Sequence, residues 1–326
     1  MNCLRHSFLD FVWVCAFLTS GCASLVPQTV ELRDAGLPAG LPASVELATV
    51  PFFPQVEYQC GPAALATVLA NAGVKVTPQD LVAQVYLPAR QGSLQVEMLA
   101  AARRNGLVSY QLAPNHEALL RELAAGTPVI VLQNLGFVDG WHYAVAVGYD
   151  FERGELILRS GETERRVMNF AAHEFFWRRG DYWAMVALPP GRIPVTAQED
   201  RWLGAVIAFE KSGNFQAIRK TYASFLARWP ENVGAAIGLA NAHHAAGELG
   251  EAEAVLREAA RRDPQSAVVL NNLAQTLLDL GQNDEALKII ERAAAAGGPF
   301  SSEVNKTREA ILKRLTSSKG AGPAPR

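Results

Sequence analysis

The sequence has no excess of positive charge. Thirty Lys and Arg stand against 32 Asp and Glu in 326 residues, a formal net charge of -2. A general binder of nucleic acid or of anionic membranes needs a basic excess, so neither class is expected. Charged residues are scarce, at 19%, and hydrophobic ones reach 49%, which excludes a disordered chain. Four cysteines are too few for a disulfide scaffold. The apolar run from Phe8 to Leu18 is too short to span a bilayer. There is no Gly-Lys-Ser/Thr loop to cradle a nucleotide, and no Cys/His spacing of the zinc-binding kind. No cofactor or metal is therefore expected. The length admits one large domain or two modest ones.

The N-terminus carries an address. Arg5 and His6 precede the apolar run, which Asp10 interrupts, and Thr19, Ser20 and Gly21 lead to Cys22. A basic start, a short apolar stretch and small residues at its end read as an export signal, residues 1–21. Small residues directly before a cysteine resemble a bacterial lipobox. That resemblance implies cleavage before Cys22, acylation of Cys22 and a lipid-anchored protein facing the periplasm. Ala23 after it points to the outer membrane. An ordinary secretory signal cut near Ala23 is the alternative. With Cys3 and Cys15 removed and Cys22 acylated, Cys60 is the one free thiol of the mature chain. In an oxidising compartment such a thiol is either buried or used.

Composition then marks zones. Pro27, Gly36, Pro38, Gly40 and Pro42 suggest a tether over 22–46. Residues 47–189 mix helix and strand patterns. Pro189, Pro190, Gly191 and Pro194 mark a linker over 190–200. Helical periodicity runs through 201–316, and a small, polar tail, 317–326, is expected to be disordered. Within the middle zone, Gly61-Pro62, Thr77-Pro78, Ser93 and Asn115 each open a helix. Strands are expected at 128–132, 142–148, 155–158 and 182–188, with a short helix near 173–177. Helices first, then hairpin-linked strands, is an α+β order.

Two stretches of this zone carry chemistry. Cys60 stands at the start of the helix opened by Gly61-Pro62. The positive end of the helix dipole favours a thiolate there, and a backbone N–H at that end suits an oxyanion. Gly61 lets the backbone approach a substrate. A buried, inert structural thiol fits the same position. Downstream, Gly140-Trp141-His142-Tyr143-Ala144-Val145 puts His142 at the start of an apolar strand, where an imidazole can serve as base and then acid. His116, His173, His243 and His244 read as structural.

Gln55-Val56-Glu57-Tyr58-Gln59-Cys60-Gly61-Pro62-Ala63-Ala64 followed by Gly140-Trp141-His142-Tyr143-Ala144-Val145-Ala146-Val147-Gly148-Tyr149-Asp150 resembles the C39-like, papain-like cysteine peptidases over residues 47–189. The resemblance implies an α+β peptidase domain with Cys60 as nucleophile, His142 as general base and Gln55 holding the oxyanion, Gln59 being the competing candidate. Family members tend to have an Asp at the end of the strand after the histidine. Here Ser160 falls at that place by count, with Glu162 and Asp150 as alternatives. A serine hydroxyl can orient the imidazole but cannot compensate an imidazolium.

In the helical zone Gly213, Gly247 and Gly281 recur at a 34-residue interval, as do Pro230 and Pro264. Ala236, Leu239, Ala252, Leu256 and Ala259 of one copy answer to Leu270, Leu273, Ala286, Ile290 and Ala293 of the next. This resembles the tetratricopeptide repeat, which implies an all-α stack that docks a protein partner. The combined expectation is a lipid-anchored cysteine peptidase acting on a peptide or protein, with a repeat module for docking. An acyl transferase or amidase on the same scaffold, and a catalytically weak assembly lipoprotein, are the rivals.

Overall fold

The computed structural model describes residues 25–136 and 140–320. The expected signal segment, residues 1–21, and Cys22 lie outside the described residues. The chain divides into two units, one running to Pro189 and including Pro194–Gln198, the other holding Pro190–Ile193 and everything from Glu199 onward.

The first unit opens with α1 (Pro27–Ala35) and β1 (Ser44–Glu46). There follow α2 (Cys60–Asn71), α3 (Pro78–Val85), the two-residue strands β2 (Tyr86–Leu87) and β3 (Gly92–Ser93), α4 (Gln95–Arg104), β4 (Val108–Gln111) and α5 (His116–Ala124). The rest is β5 (Val129–Asn134), β6 (Trp141–Asp150), β7 (Glu155–Ser160), β8 (Thr163–Asn169), α6 (Phe170–Trp177) and β9 (Ala184–Leu188). This is the α+β order expected. The strands form an antiparallel sheet in the order β4-β9-β5-β6-β7-β8, with β1 added on β6. β1 crosses β6 at Gly148, where a side chain would put its Cβ 2.3 Å from the Val45 carbonyl oxygen.

Strand alternation sorts the core into two faces. Ile130, Leu132, Tyr143, Val145, Val147, Ile157, Met185 and Ala187 pack with α2, α3 and α4 in one cluster. The intervening residues, Val129, Val131, Ala144, Ala146 and Leu156 among them, serve the opposite face, where α5 and α6 lie. The helix starts follow from their caps. Thr77 and Asp80 form a capping box, and Asn115 accepts from the Ala118 N–H. Ser93 lies in β3 instead of capping α4, whose N-cap is Leu94. β4 and β8 carry no alternating apolar pattern strong enough to read; β8 is almost wholly exposed.

The expected tether is the clearest correction. Residues 27–35 are helical, and the Glu174 carboxylate of α6 accepts from the Gln28 and Thr29 N–H groups at 2.9 and 2.6 Å. Gln28 Nε2 donates to the Pro114 carbonyl, and the His116 N–H donates to Gln28 Oε1. Proline at the first turn and an acceptor for its orphan N–H groups make this helix part of the unit.

The second unit is all helical: α7 (Glu199–Glu210), α8 (Phe215–Arg228), α9 (Val233–Ala245), α10 (Leu249–Arg262), α11 (Ala267–Asp279), α12 (Asn283–Ala296) and α13 (Ser301–Gly320). The 34-residue glycines end the first helix of each pair with φ of +71°, +77° and +76°. Asn214, Asn232 and Ser266 cap α8, α9 and α11. Ala236, Ala252, Leu256, Leu270, Leu273, Ala286 and Ile290 share one core across the repeats, closed by Val304 and Ile311 of α13. α13 extends past Ser317, where the polar tail was expected to begin.

Candidate active site

Cys60 is the first residue of α2. Just before it, Tyr58 has a φ of 60°, and the Gln59 N–H closes a turn onto the Val56 carbonyl. Pro62, with no N–H to satisfy, follows inside the first turn. The helix is buried along Cys60–Leu69, so the thiol is fixed by a rigid core element. Gly61 is needed for packing: a Cβ there would lie 2.2 Å from Ser93 Oγ and 2.6 Å from Ser93 Cβ. Its bare α-carbon therefore faces β3, not an approaching substrate. Ser93 Oγ is buried with no partner, and the Ser93 carbonyl accepts from Tyr143 Oη at 3.2 Å.

The thiol meets the sheet at β6. The backbone N–H groups of Tyr143, Gly61 and Cys60 itself all point at Sγ and favour the thiolate. Burial outweighs them and pushes the Cys60 thiol up. The helix start was expected to lower this pKa. Backbone N–H groups do favour the thiolate, but the residue is only 7% exposed, and desolvation of the charged form dominates.

His142, the second residue of β6, is 6% exposed and precedes the residue whose N–H reaches Sγ. Its Nε2 lies 2.9 Å from Ser160 Oγ. Ser160 ends β7, beyond an irregularity in register between Leu158 and Ser160. Gly161, with a φ of 62°, turns the chain into β8. Of the alternatives for this position, Glu162 is exposed in that turn, and Asp150 ends β6 with Oδ1 accepting from the Arg153 N–H.

Gln55 reaches the site on the loop ahead of α2. Its N–H donates to the Gly161 carbonyl at 3.1 Å, and its side-chain Oε1 is buried without a partner. Arg159 straps that loop. It is buried, and its guanidinium donates to the carbonyls of Ala48, Val50 and Glu164. The strand bearing Ser160 and the loop bearing Gln55 are thereby tied together. Sequence reasoning did not single out Arg159 and read Ser93 only as a helix cap; for Arg159 a lone arginine in an apolar strand, Leu156-Ile157-Leu158-Arg159, was the available signal.

Gln55, Cys60, Ser93, His142 and Ser160 all line one open cleft of about 980 Å³. It opens where α2 and β6 begin and β7 ends. Trp141, 57% exposed, forms part of its wall beside His142. The arrangement offers a thiol, an imidazole whose Nε2 is hydrogen-bonded to a serine hydroxyl, and an amide, in one cleft.

Family models match stretches of both units. Residues 47–169 match the model of the Peptidase_C39 like family, and residues 203–267 and 245–311 match two tetratricopeptide repeat models. A C39-like peptidase from Bacillus anthracis is similar at 17% identity, covering 44% of this chain and 97% of its own, with a TM-score of 0.38. A double glycine motif protease from an AMS/PCAT transporter, in complex with the leader peptide, is 20% identical over 47% of this chain and 96% of its own, with a TM-score of 0.34. The first tetratricopeptide domain of Spaghetti (RPAP3), bound to an HSP90 peptide, is 17% identical over 36% of this chain and 93% of its own, again at 0.34. No curated protein matches.

Proposed function

We propose that this chain, a C39-like peptidase domain followed by tetratricopeptide repeats, is a cysteine peptidase that cleaves a peptide bond and docks a protein partner through its repeats. The observation that carries this reading is the convergence of Cys60 and His142 on one cleft, with His142 Nε2 at 2.9 Å from Ser160 Oγ.

The raised thiol dictates the order of steps. Burial pushes the Cys60 thiol up and favours its neutral form at rest. As a substrate carbonyl enters, His142 takes the proton through Nδ1 while Sγ bonds to the carbonyl carbon. Ser160 Oγ accepts from Nε2–H of the imidazolium. The negative oxygen is held by the Cys60 N–H and the Gln55 amide. Collapse expels the amine, which receives the proton from His142, and leaves a thioester. Water then attacks with His142 again as base, and the acid product leaves as the thiol is restored. A neutral hydroxyl stabilises the imidazolium less than a carboxylate does, so slow turnover is expected.

That hydroxyl and the raised thiol favour one second reading, a binding lipoprotein in which the cleft holds a peptide without cleaving it. Incubation with a peptide library, analysed by mass spectrometry, separates the two. Cleavage lost in Cys60→Ala and His142→Ala supports the peptidase; product appearing only with an added amine identifies a transferase; binding without cleavage leaves the lipoprotein reading.

The lipid anchor at Cys22 belongs to the same proposal. It places the protein on the periplasmic side of a bacterial envelope membrane, the outer one by the residue after Cys22. Globomycin treatment should accumulate the uncut precursor, and Cys22→Ser should release the protein from membranes. Unchanged partitioning and mature mass would overturn the anchor.

A further inference from the structure

On the sheet face served by α5 and α6, two histidines meet. His116 begins α5 and His173 lies in α6, and both are buried, at 2% and 0% exposure. Their ring centroids are 5.7 Å apart. The Trp177 ring is 5.4 Å from His116 and 5.0 Å from His173, and Phe170 is 5.8 Å from His116. All four ring nitrogens are buried without a hydrogen-bond partner. A neutral imidazole always carries one N–H, so each ring leaves a buried donor and a buried acceptor unmet. Nothing in the proposed peptide chemistry uses these groups.

The backbone of one and the chain neighbour of the other hold α1 in place. His116 gives its backbone N–H to Gln28 Oε1, and Glu174, next to His173, holds the Gln28 and Thr29 N–H groups. Glu174 is itself fully buried and also accepts from Tyr182 Oη. Thr29 and Leu32 are the residues α1 buries. The helix is thus held by one carboxylate, next in the chain to His173 and close enough to act on His116, and by one glutamine side chain bonded to the His116 backbone.

We propose that this cluster is an acid-sensitive latch: protonation of His116 and His173 undocks α1 from α5 and α6 while the sheet stays folded. The charged surroundings set the sign. Glu174 is the carboxylate that favours an imidazolium at His116, and Arg178, in the turn after α6, lies near the Glu174–Tyr182 pair. The ionisable side chains of α1, Glu31, Arg33 and Asp34, are exposed, as are Glu117 of α5 and Glu164, Arg165 and Arg166 of β8. Glu122 of α5 is taken by Thr196, Glu46 of β1 by Arg165, and Arg159 of β7 by backbone carbonyls. Asp150 of β6 pairs with Arg153, Glu155 of β7 sits half-buried at the strand start, and β5 carries no ionisable group.

Burial holds His116 down to about 4 against the pull of Glu174, and holds His173 well below its usual value, with His116 adding repulsion. Both rings are neutral in the docked state. Docking is fully favoured above the ordinary histidine value near 6.5 and weakens as the pH falls through 6.5 towards 4. Where release of α1 returns His116 from about 4 to its ordinary value, the docking equilibrium drops about 30-fold by pH 5.0. If Cys22 carries a lipid, release of α1 moves the first tied residue among the described ones from Gln28 to Ala39, whose carbonyl accepts from Arg121 of α5, and lengthens the leash to the membrane. That consequence rests on the anchor reading; the latch does not.

Hydrogen exchange of the full, unacylated chain at pH 7.5 and 5.0, corrected for intrinsic rates, tests it. Amides of α1 should lose about 30-fold or more of their protection at pH 5.0, while β5 and β6 keep theirs. In His116→Phe/His173→Phe the α1 loss should vanish. If the double variant does not fold, each single variant should reduce the loss, and Glu174→Gln should loosen α1 already at pH 7.5. Protection of α1 that ignores pH, a loss undiminished in the Phe variants, or a loss shared equally by β5 and β6 would each overturn the latch. Because the readout involves neither lipid nor turnover, its failure is distinct from failure of the anchor or of the peptidase reading.

Discussion

Gly61→Ala is a small change at the most crowded point of the site. Gly61 is helical, so alanine there gains up to about 1 kcal/mol of helix propensity. Against this stands Ser93, whose Oγ and Cβ would lie 2.2 and 2.6 Å from the new methyl, with Met98 Sδ at 3.4 Å. Real carbon contacts begin near 3.5 Å, so either α2 or β3 must move by about 1 Å. Ser93 cannot retreat by a rotamer change, because its Cβ is part of the clash. It is also tied by pairing with Tyr86 and by the Tyr143 hydroxyl on its carbonyl. Overpacking of this kind costs about 1–3 kcal/mol and outweighs the propensity gain. Melting followed by circular dichroism should fall by about 2–8 °C for a unit of this size. If α2 is what moves, Cys60 moves with it, and a displacement near 1 Å can lower turnover by about 100-fold. The companion change is Ser93→Gly. Its buried hydroxyl has no partner, so removing it forfeits no hydrogen bond, and the double variant should recover most of the lost stability and activity. A single variant as stable as the wild type, or a double variant no better than Gly61→Ala, would refute the steric argument.

Three further outcomes follow from the same geometry. Ser160→Ala removes a neutral hydrogen bond to His142, worth about 0.5–1.5 kcal/mol, and should lower kcat by up to roughly tenfold with little change in KM; an unchanged kcat would put Ser160 outside the machinery. Because burial pushes the Cys60 thiol up, its alkylation by iodoacetamide should still be rising at about pH 9; a plateau reached below neutral pH would mean that a resting thiolate exists. The helices from Glu199 onward share a core built between neighbouring repeats, so residues 199–320 alone should give a helical spectrum and a cooperative melt, and a disordered spectrum would show that their core depends on the first unit.

Elements whose signal is local were legible without the structure. Gly-Pro after Cys60 marks a helix start because proline lacks the N–H that the first turn cannot use. An apolar run after His142 marks a central strand, since both its faces are covered. The repeat period is legible because each unit needs the same glycine turn and the same small residues where helices cross. Tertiary structure decided what depends on residues distant in sequence. Ser160 reaches His142 because β7 runs antiparallel to β6 and brings its end beside the start of β6, and counting along the chain placed it without showing the contact. Arg159 became a strap because the carbonyls of Ala48 and Val50 lie within its reach, which no pattern in β7 announces. The proline- and glycine-rich stretch after residue 22 reads as loose chain, yet α1 is held there by Glu174, a carboxylate almost 150 residues away. His116 and His173 look ordinary one at a time; the meeting of α5 and α6 makes them a buried pair. The Cys60 thiol shows the division most sharply. The N–H groups of Cys60 and Gly61 belong to the local chain and lower its pKa, as does that of Tyr143 across the sheet, whereas desolvation is a property of everything packed around it and raises it, and desolvation is the larger.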